Sequence, residues 1–424
     1  MNGRRARKPF LADGFPAIDR DSANRLRGRI AVIALVTVAA ISGVAALMSR
    51  GHDRSSRPGT PPAVGTIIKA ANSDGTYTVS YPVAVPNGYN APTGLAVDPS
   101  GTGVWFFADS TTARTVFHWT ASSGKLTDYS LSLSNPDLAA GAITPIVVDA
   151  QGRAWVGINH TLAMVDPATN SVQTYPLPAV TLAGPPLVLL PPTPPGVSPE
   201  QFAVVDSLAV GANGSIVIGR QFANELQVFS PGDGTFSSIT LPVNAVLAGT
   251  GQNLGATPNG EVVAILYVGS SSAEVALESG GAWYTVSSTC EPLSLTVGAA
   301  LTLAGPDCVA DSHISSSGVT GTLSPLPSAW TALVSHITTA ISISAGIDAV
   351  GTGGGIDVVD AASGAGTPVD LGQIVLSGES SPGGGSNSTK TVPITPGLVA
   401  SDGSGTVWFT IAEGGLQLGL LAPG

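Results

Sequence analysis

The sequence predicts an all-β fold, a seven-bladed β-propeller closed by an N-terminal strand and preceded by one transmembrane helix. Three observations carry that expectation. A two-strand segment recurs seven times, the composition suits short strands and turns, and the C-terminus stops one strand short of a complete unit.

The recurring segment is an apolar run, a Gly-bearing turn and a second apolar run. It is read in GLAVDPSGTGVWFF (94–107), PIVVDAQGRAWVG (145–157), SLAVGANGSIVIG (207–219), NLGATPNGEVVAI (253–265) and GLVASDGSGTVWFT (397–410). SLTVGAALTLAG (294–305) and SISAGIDAVGTGGGIDVVD (342–360) are weaker members. The second residue of each, Leu95, Ile146, Leu208, Leu254, Leu295, Ile343 and Leu398, recurs at steps of 41 to 62 residues. Periods of about 40 to 50 residues with four short strands per unit are those of propeller blades. A lone four-stranded sheet cannot bury both faces, whereas one stacked radially between two neighbours does. Trp105, Trp155 and Trp408 recur at one place in the second strand and are expected in the core between blades.

Full units continue into a fourth strand: GKLTDYSLSL (124–133), NSVQTYPLP (170–178) and GTFSSITLPV (234–243). The last unit ends at Gly424 without one, while DGTYTVSYPVAV (74–85) precedes the first unit and belongs to none. Joined end to end, LLAPG and SDGTYTVSYPV reproduce the pattern of FSPGDGTFSSITLPV. The expectation is that the N-terminal strand completes the last blade.

Composition agrees. The 424 residues are 43% hydrophobic and only 11% charged, with 53 Gly and 33 Pro, which disfavours disorder and favours strands joined by turns. Charge is unevenly placed. Residues 1–29 hold eight Lys or Arg against three acidic residues, but beyond Arg57 only six Lys or Arg face 24 Asp or Glu. A region that acidic lacks the basic surface that phosphate contacts need, so no nucleic-acid partner is expected.

Between the two regimes lies IAVIALVTVAAISGVAALM (30–48), without a charge and about 28 Å long as a helix, enough for a hydrocarbon core of roughly 30 Å. The basic flank puts residues 1–29 in the cytoplasm and the rest outside, as a single-pass cell-membrane protein. The competing reading is a cleaved signal peptide, but the apolar run exceeds the usual length. The domains are then a cytoplasmic tail (1–29), a transmembrane signal anchor (30–48), an extracytoplasmic linker (49–72) and the propeller (73–424).

Outside the cytoplasm Cys290 and Cys308 are expected to form a disulfide, worth about 3 kcal/mol in the chain-entropy picture, with two buried thiols as the alternative. DCVADSH (307–313) gathers Asp307, Asp311 and His313, a weak metal candidate whose default reading is a polar loop tied down at Cys308. Nucleophile elbows, phosphate loops and zinc signatures are absent, no catalytic residue is assigned and no cofactor is expected. Three stretches exceed what strands need: 176–202, 323–340 and 376–396. The first, with Leu187, Val188, Leu189 and Leu190 in succession, is read either as a partner-contact loop or as a flap on a blade edge.

The phrases VWFT, AWVG, TYPLP and VDPATN resemble the repeats of the streptogramin B (virginiamycin B) lyase-like seven-bladed propellers, and more loosely the NHL and gluconolactonase groups. The resemblance spans roughly residues 75–424 and rests on blade motifs, so it implies the fold. The lyases open a cyclic depsipeptide by elimination with magnesium, histidines and a Glu followed by His three residues on. No Glu of this region has His at that spacing, and His118, His160, His313 and His336 are its only histidines. No lyase residue carries over. Two functions follow: a tethered module that binds an extracytoplasmic protein, peptide or glycan, or an enzyme of lyase or lactonase type holding Mg²⁺ or Ca²⁺ at the channel mouth.

Overall fold

The computed structural model describes residues 65–69, 75–132, 143–183 and 203–424, apart from short stretches at 249–251, 258, 269–271, 287–293, 298–299, 306–307, 316–317, 320–323, 326–336, 345–346, 353–354, 361–362, 364, 378–388 and 414. These residues belong to one compact unit. The expected membrane span at 30–48 lies outside them. Among the described residues no helix is long and apolar enough to cross a membrane.

The described residues form eight antiparallel sheets, and the only helical element in them is a 3₁₀ turn, Ala212–Gly214. The first sheet takes Gly94–Val97, Gly103–Asp109, Arg114–Thr120 and Lys125–Ser130 in sequence order. The second takes Ile146–Val148, Ala154–Ile158, Thr161–Asp166 and Ser171–Pro176; the third runs from Val205–Val210 to Thr235–Thr240. The fourth covers Ala245–Leu247 to Ala282–Val286, the fifth Ser294–Val297 to Ser324–Pro325, the sixth Ile337–Ser344 to Gly366–Val369. Every repeat marker from Leu95 to Leu398 falls on the innermost strand of its sheet, which in the fourth sheet is Leu254–Ala256, after Ala245–Leu247 on the same edge.

The seventh sheet joins the chain's two ends. Pro396–Ser401, Val407–Ile411 and Gln417–Pro423 are followed in space by Tyr77–Ala84. Tyr77 pairs with Pro423, Val79 with Leu421 and Ser80 with Leu420, and Gly424 N–H donates to the Thr76 carbonyl at 2.9 Å. The outer edge of Gln417–Pro423 is thus covered. The innermost strands lie against one another in order from first to seventh, and the seventh lies against the first.

Alternation within each strand explains the stacking. On Gly103–Asp109, Val104, Phe106 and Ala108 pack toward the seventh sheet, while Trp105 and Phe107 pack toward the second. Both faces are apolar because both are covered. Clusters of the same kind fill the spaces between second and third, third and fourth, fourth and fifth, and sixth and seventh sheets. The turn before the fourth strand needs positive φ, supplied by Gly124 (φ 60°) in the first sheet and by Asn170 (φ 52°) in the second.

The eighth sheet has three strands. Ile67–Ile68 adds to the hairpin Gln373–Ser377 and Thr389–Pro393, with Gly65 N–H donating to Val375 O at 2.7 Å. Residues 65–69 fall in the stretch expected to be an extended, solvated linker. They pair because Ile67 packs on the apolar cluster that also holds Ile374, Ile394 and Leu371. Likewise the stretch 376–396, longer than strands need, contributes paired residues near both of its ends, Leu376 with Lys390 and Ser377 with Thr389.

Candidate functional site

In each sheet the innermost strand begins at the end where the second strand turns into the third and where the fourth strand exits. Val205 N–H donates to Asn159 O, and Ala412 N–H to Thr395 O, across that end. The connections through 177–204, 326–336 and 370–395 each lead from an outer strand to the next innermost strand. All three long stretches singled out in the sequence therefore issue from one face. Leu187, Val188, Leu189 and Leu190 lie outside the described residues.

At the centre is a cavity of about 360 Å³, lined by all seven innermost strands or the residues leading into them. Among the described residues its lining is Gly, Ala, Val, Leu, Ile and Pro, with Thr144, Gln252, Thr296 and Ser401 as the polar side chains and no Asp, Glu, His, Lys or Arg. Small residues bring the sheets together here: a Cβ on Gly255 would collide with the side chain of Val297, one sheet on. Gln252 Nε2 donates to the carbonyl of Val399, on the seventh sheet's innermost strand, at 3.1 Å.

On the same face, the long connection after the second sheet is held by Arg220. Its Nε donates to Ala203 O at 2.6 Å, its Nη1 to Pro178 O at 2.7 Å, and its Nη2 lies 2.7 Å from His160 Nδ1. Gln227 Nε2 donates to the same Pro178 carbonyl at 2.9 Å. Burial pulls the guanidinium down to about 10, against the field of Glu225, which leaves it charged at neutral pH. Nearby in sequence Asp206 is wholly buried at a bulge in the third sheet. Burial pushes its carboxyl up to about 7, the Ser207 hydroxyl bond offsetting only part of the cost, and its Oδ2 has no hydrogen-bond partner among the described residues.

The opposite end carries a repeated lock. Trp105 Nε1 donates to Asp98 Oδ1 at 2.6 Å, and His118, stacked on Trp105 with ring centres 4.0 Å apart, reaches Asp98 Oδ2 at 3.1 Å. In the second sheet Trp155 Nε1 donates to Asp149 Oδ2 at 2.8 Å and Arg153 Nε to the same atom at 2.7 Å. Each buried indole N–H is satisfied by the turn that precedes its strand.

The weak metal candidate is not brought into a described site. Asp311 pairs in the strand ladder with Thr302, and His313 with Ala300. Their side chains and Asp307 lie outside the described residues. Cys308 stands opposite Gly305 in the ladder. Cys290 is outside the described residues, and with it the expected bridge. Among the described residues no three His, Cys, Asp or Glu gather as a metal would need, and the cavity lining offers Mg²⁺ or Ca²⁺ no carboxylate. The donor set there does not fit such an ion.

Arg220, Asp206 and Gln252 were not singled out from sequence, and His160 entered only as one of four histidines. One signal was legible: Arg220 is the last arginine of the chain, set in an apolar strand, IVIGR.

No family model matches the chain, and no curated protein matches it. Solved structures do. Virginiamycin B lyase from Staphylococcus aureus is similar over 82% of this chain and 99% of its own, with TM-score 0.51 and 16% identity. The fold is a virginiamycin B lyase-like β-propeller. The RRP9 WD40 repeats match the propeller over 85% of this chain and 100% of theirs, with TM-score 0.52 and 10% identity. YCF48 bound to D1 peptide matches over 85% of this chain and 98% of its own, with TM-score 0.51 and 11% identity. At these identities the likeness is one of fold, shared by propellers that are enzymes and propellers that bind.

Proposed function

We propose that this propeller has seven blades, is held outside the cell by a membrane span at residues 30–48, and is a binding or sensing module for a peptide, glycan or envelope partner rather than for nucleic acid. The observation that carries the reading is the neutral lining of the central cavity. Acid–base and metal chemistry need ionisable side chains at the reacting atoms, whereas recognition of a neutral ligand needs hydrogen-bonding groups on an apolar floor. The closed circuit of innermost strands supports the blade count. The three long connections issuing from one face supply further contact surface. A metal-dependent lyase or lactonase is the alternative, and it rests on likeness of fold alone.

The test is binding by the purified full-length chain on peptide and glycan arrays, with Ala256→Arg as control. That substitution puts a charged side chain into the cavity lining. Retention of neutral ligands by the wild type and their loss in the variant, at unchanged melting temperature, is the expected result. Stoichiometric Mg²⁺ or Ca²⁺ whose removal abolishes opening of a cyclic depsipeptide carries the alternative instead. For location, the chain is expected in the membrane fraction after alkaline carbonate washing, with the propeller cleaved by protease added outside. Recovery in the soluble fraction refutes the anchor.

A further inference from the structure

Gln252 lines the cavity, two residues before the fourth sheet's innermost strand, Leu254–Ala256. Its main-chain carbonyl accepts from Leu295 N–H of the fifth sheet at 2.6 Å, so its backbone is fixed. The fourth sheet's innermost strand packs between those of the third and fifth. A bond from Gln252 to Val399, on the seventh, therefore passes through the cavity. It is a contact across the ring rather than between neighbours.

The chemistry of that contact is specific. A glutamine carboxamide is a neutral planar amide with N–H donors and one carbonyl acceptor, the same group as a peptide bond. Here its N–H sits on a strand carbonyl, 3.1 Å from Val399 O, over a floor of Gly, Ala, Val and Leu. A charged ligand would find no countercharge in this lining. An uncharged peptide would find what Gln252 finds, and Thr144, Thr296 and Ser401 add hydroxyl side chains to the lining from the second, fifth and seventh sheets.

We infer that Gln252 is an internal stand-in for the ligand, and that the cavity takes an uncharged peptide segment whose amide N–H replaces Nε2 on the Val399 carbonyl. The inference rests on the reading of the cavity as a binding site. Covalent attachment gives the Gln252 amide a high effective concentration at that carbonyl, so it weakens a free ligand by competition. Removing it leaves the acceptor open.

The full-length wild type and Gln252→Ala are titrated by calorimetry with the capped tripeptide Ac-Ala-Gly-Ala-NH₂, and with its analogue carrying an ester oxygen in place of the glycine N–H. Gln252→Ala is expected to bind the amide at least ten-fold tighter than the wild type, and the ester at least ten-fold more weakly than the amide. Gln252→Met, of similar length but without a donor, serves if the alanine variant fails to fold, with the same expectation. Equal affinity of wild type and variant, or of amide and ester, overturns the stand-in and leaves the cavity a binding site. Binding of neither compound to any folded form overturns both.

Discussion

The guanidinium of Arg220 meets Nδ1 of His160 at 2.7 Å while its other nitrogens hold the carbonyls of Pro178 and Ala203. A guanidinium only donates, so Nδ1 accepts and the proton of the neutral ring sits on Nε2. One buried side chain thus fastens the residues where the chain leaves the second sheet and where it re-enters the third.

Arg220→Met is expected to cost about 3 kcal/mol, because it strands buried acceptors that Arg220 now serves. Arg220→Lys should recover less than half of that, since an ammonium on a flexible stem cannot address two carbonyls and a ring nitrogen together. Urea denaturation of the three proteins at pH 7 measures both.

Asp206 sets a pH dependence of opposite sign to that of a paired carboxylate. Its folded value, about 7, lies above that of the unfolded chain, so the folded state binds the proton more tightly. Stability then falls as pH rises from about 4 to 7. Asp206→Asn should melt higher than the wild type at pH 8, with the gap closing by pH 4. A gap that persists or grows toward pH 4 refutes the assignment.

Asp98 runs the other way. Burial alone would raise its carboxyl, but the hydrogen bonds of His118 and Trp105 outweigh it and hold the group below the usual carboxylate range. Its contribution is complete above the unfolded value, near 3.9, and is lost as pH falls through the lower folded value. Asp98→Asn should lose about 1–2 kcal/mol at neutral pH and progressively less at more acid pH. Chemical denaturation across that range reads the difference.

The seam makes a topological prediction. Removing Tyr77–Ala84 bares the edge of Gln417–Pro423, whose Leu418 and Leu421 are fully buried. The deleted chain should elute as aggregates and melt well below the wild type. A monomer with an unchanged melting curve contradicts closure.

The propeller was legible because its signals are local and repeated. Leu95, Ile146, Leu208 and Leu254 mark innermost strands through short-range alternation and turn chemistry, and seven copies of a weak pattern reinforce one another. The seam was legible for the same reason, since Gln417–Pro423 and Tyr77–Ala84 are the two halves of a pattern seen whole at 225–243. The linker strand was not. Ile67–Ile68 is too short to carry a period, and it pairs where Gln373–Ser377 offers an edge and Ile67 meets an apolar cluster.

The candidate site was illegible for a physical reason. Gln252 and Val399 lie 147 positions apart, and Arg220 and His160 lie 60 apart, with no local pattern linking either pair. By itself the sequence determined strands, turns, the order of the sheets and the joining of the ends, all of which follow from side-chain alternation and backbone preference along the chain. Only the tertiary structure decided that the cavity lining is neutral, that one glutamine reaches across it and that one arginine ties Pro178 to Ala203. Those depend on which side chains a closed circle of sheets turns toward its axis, and closure is a property of the whole chain.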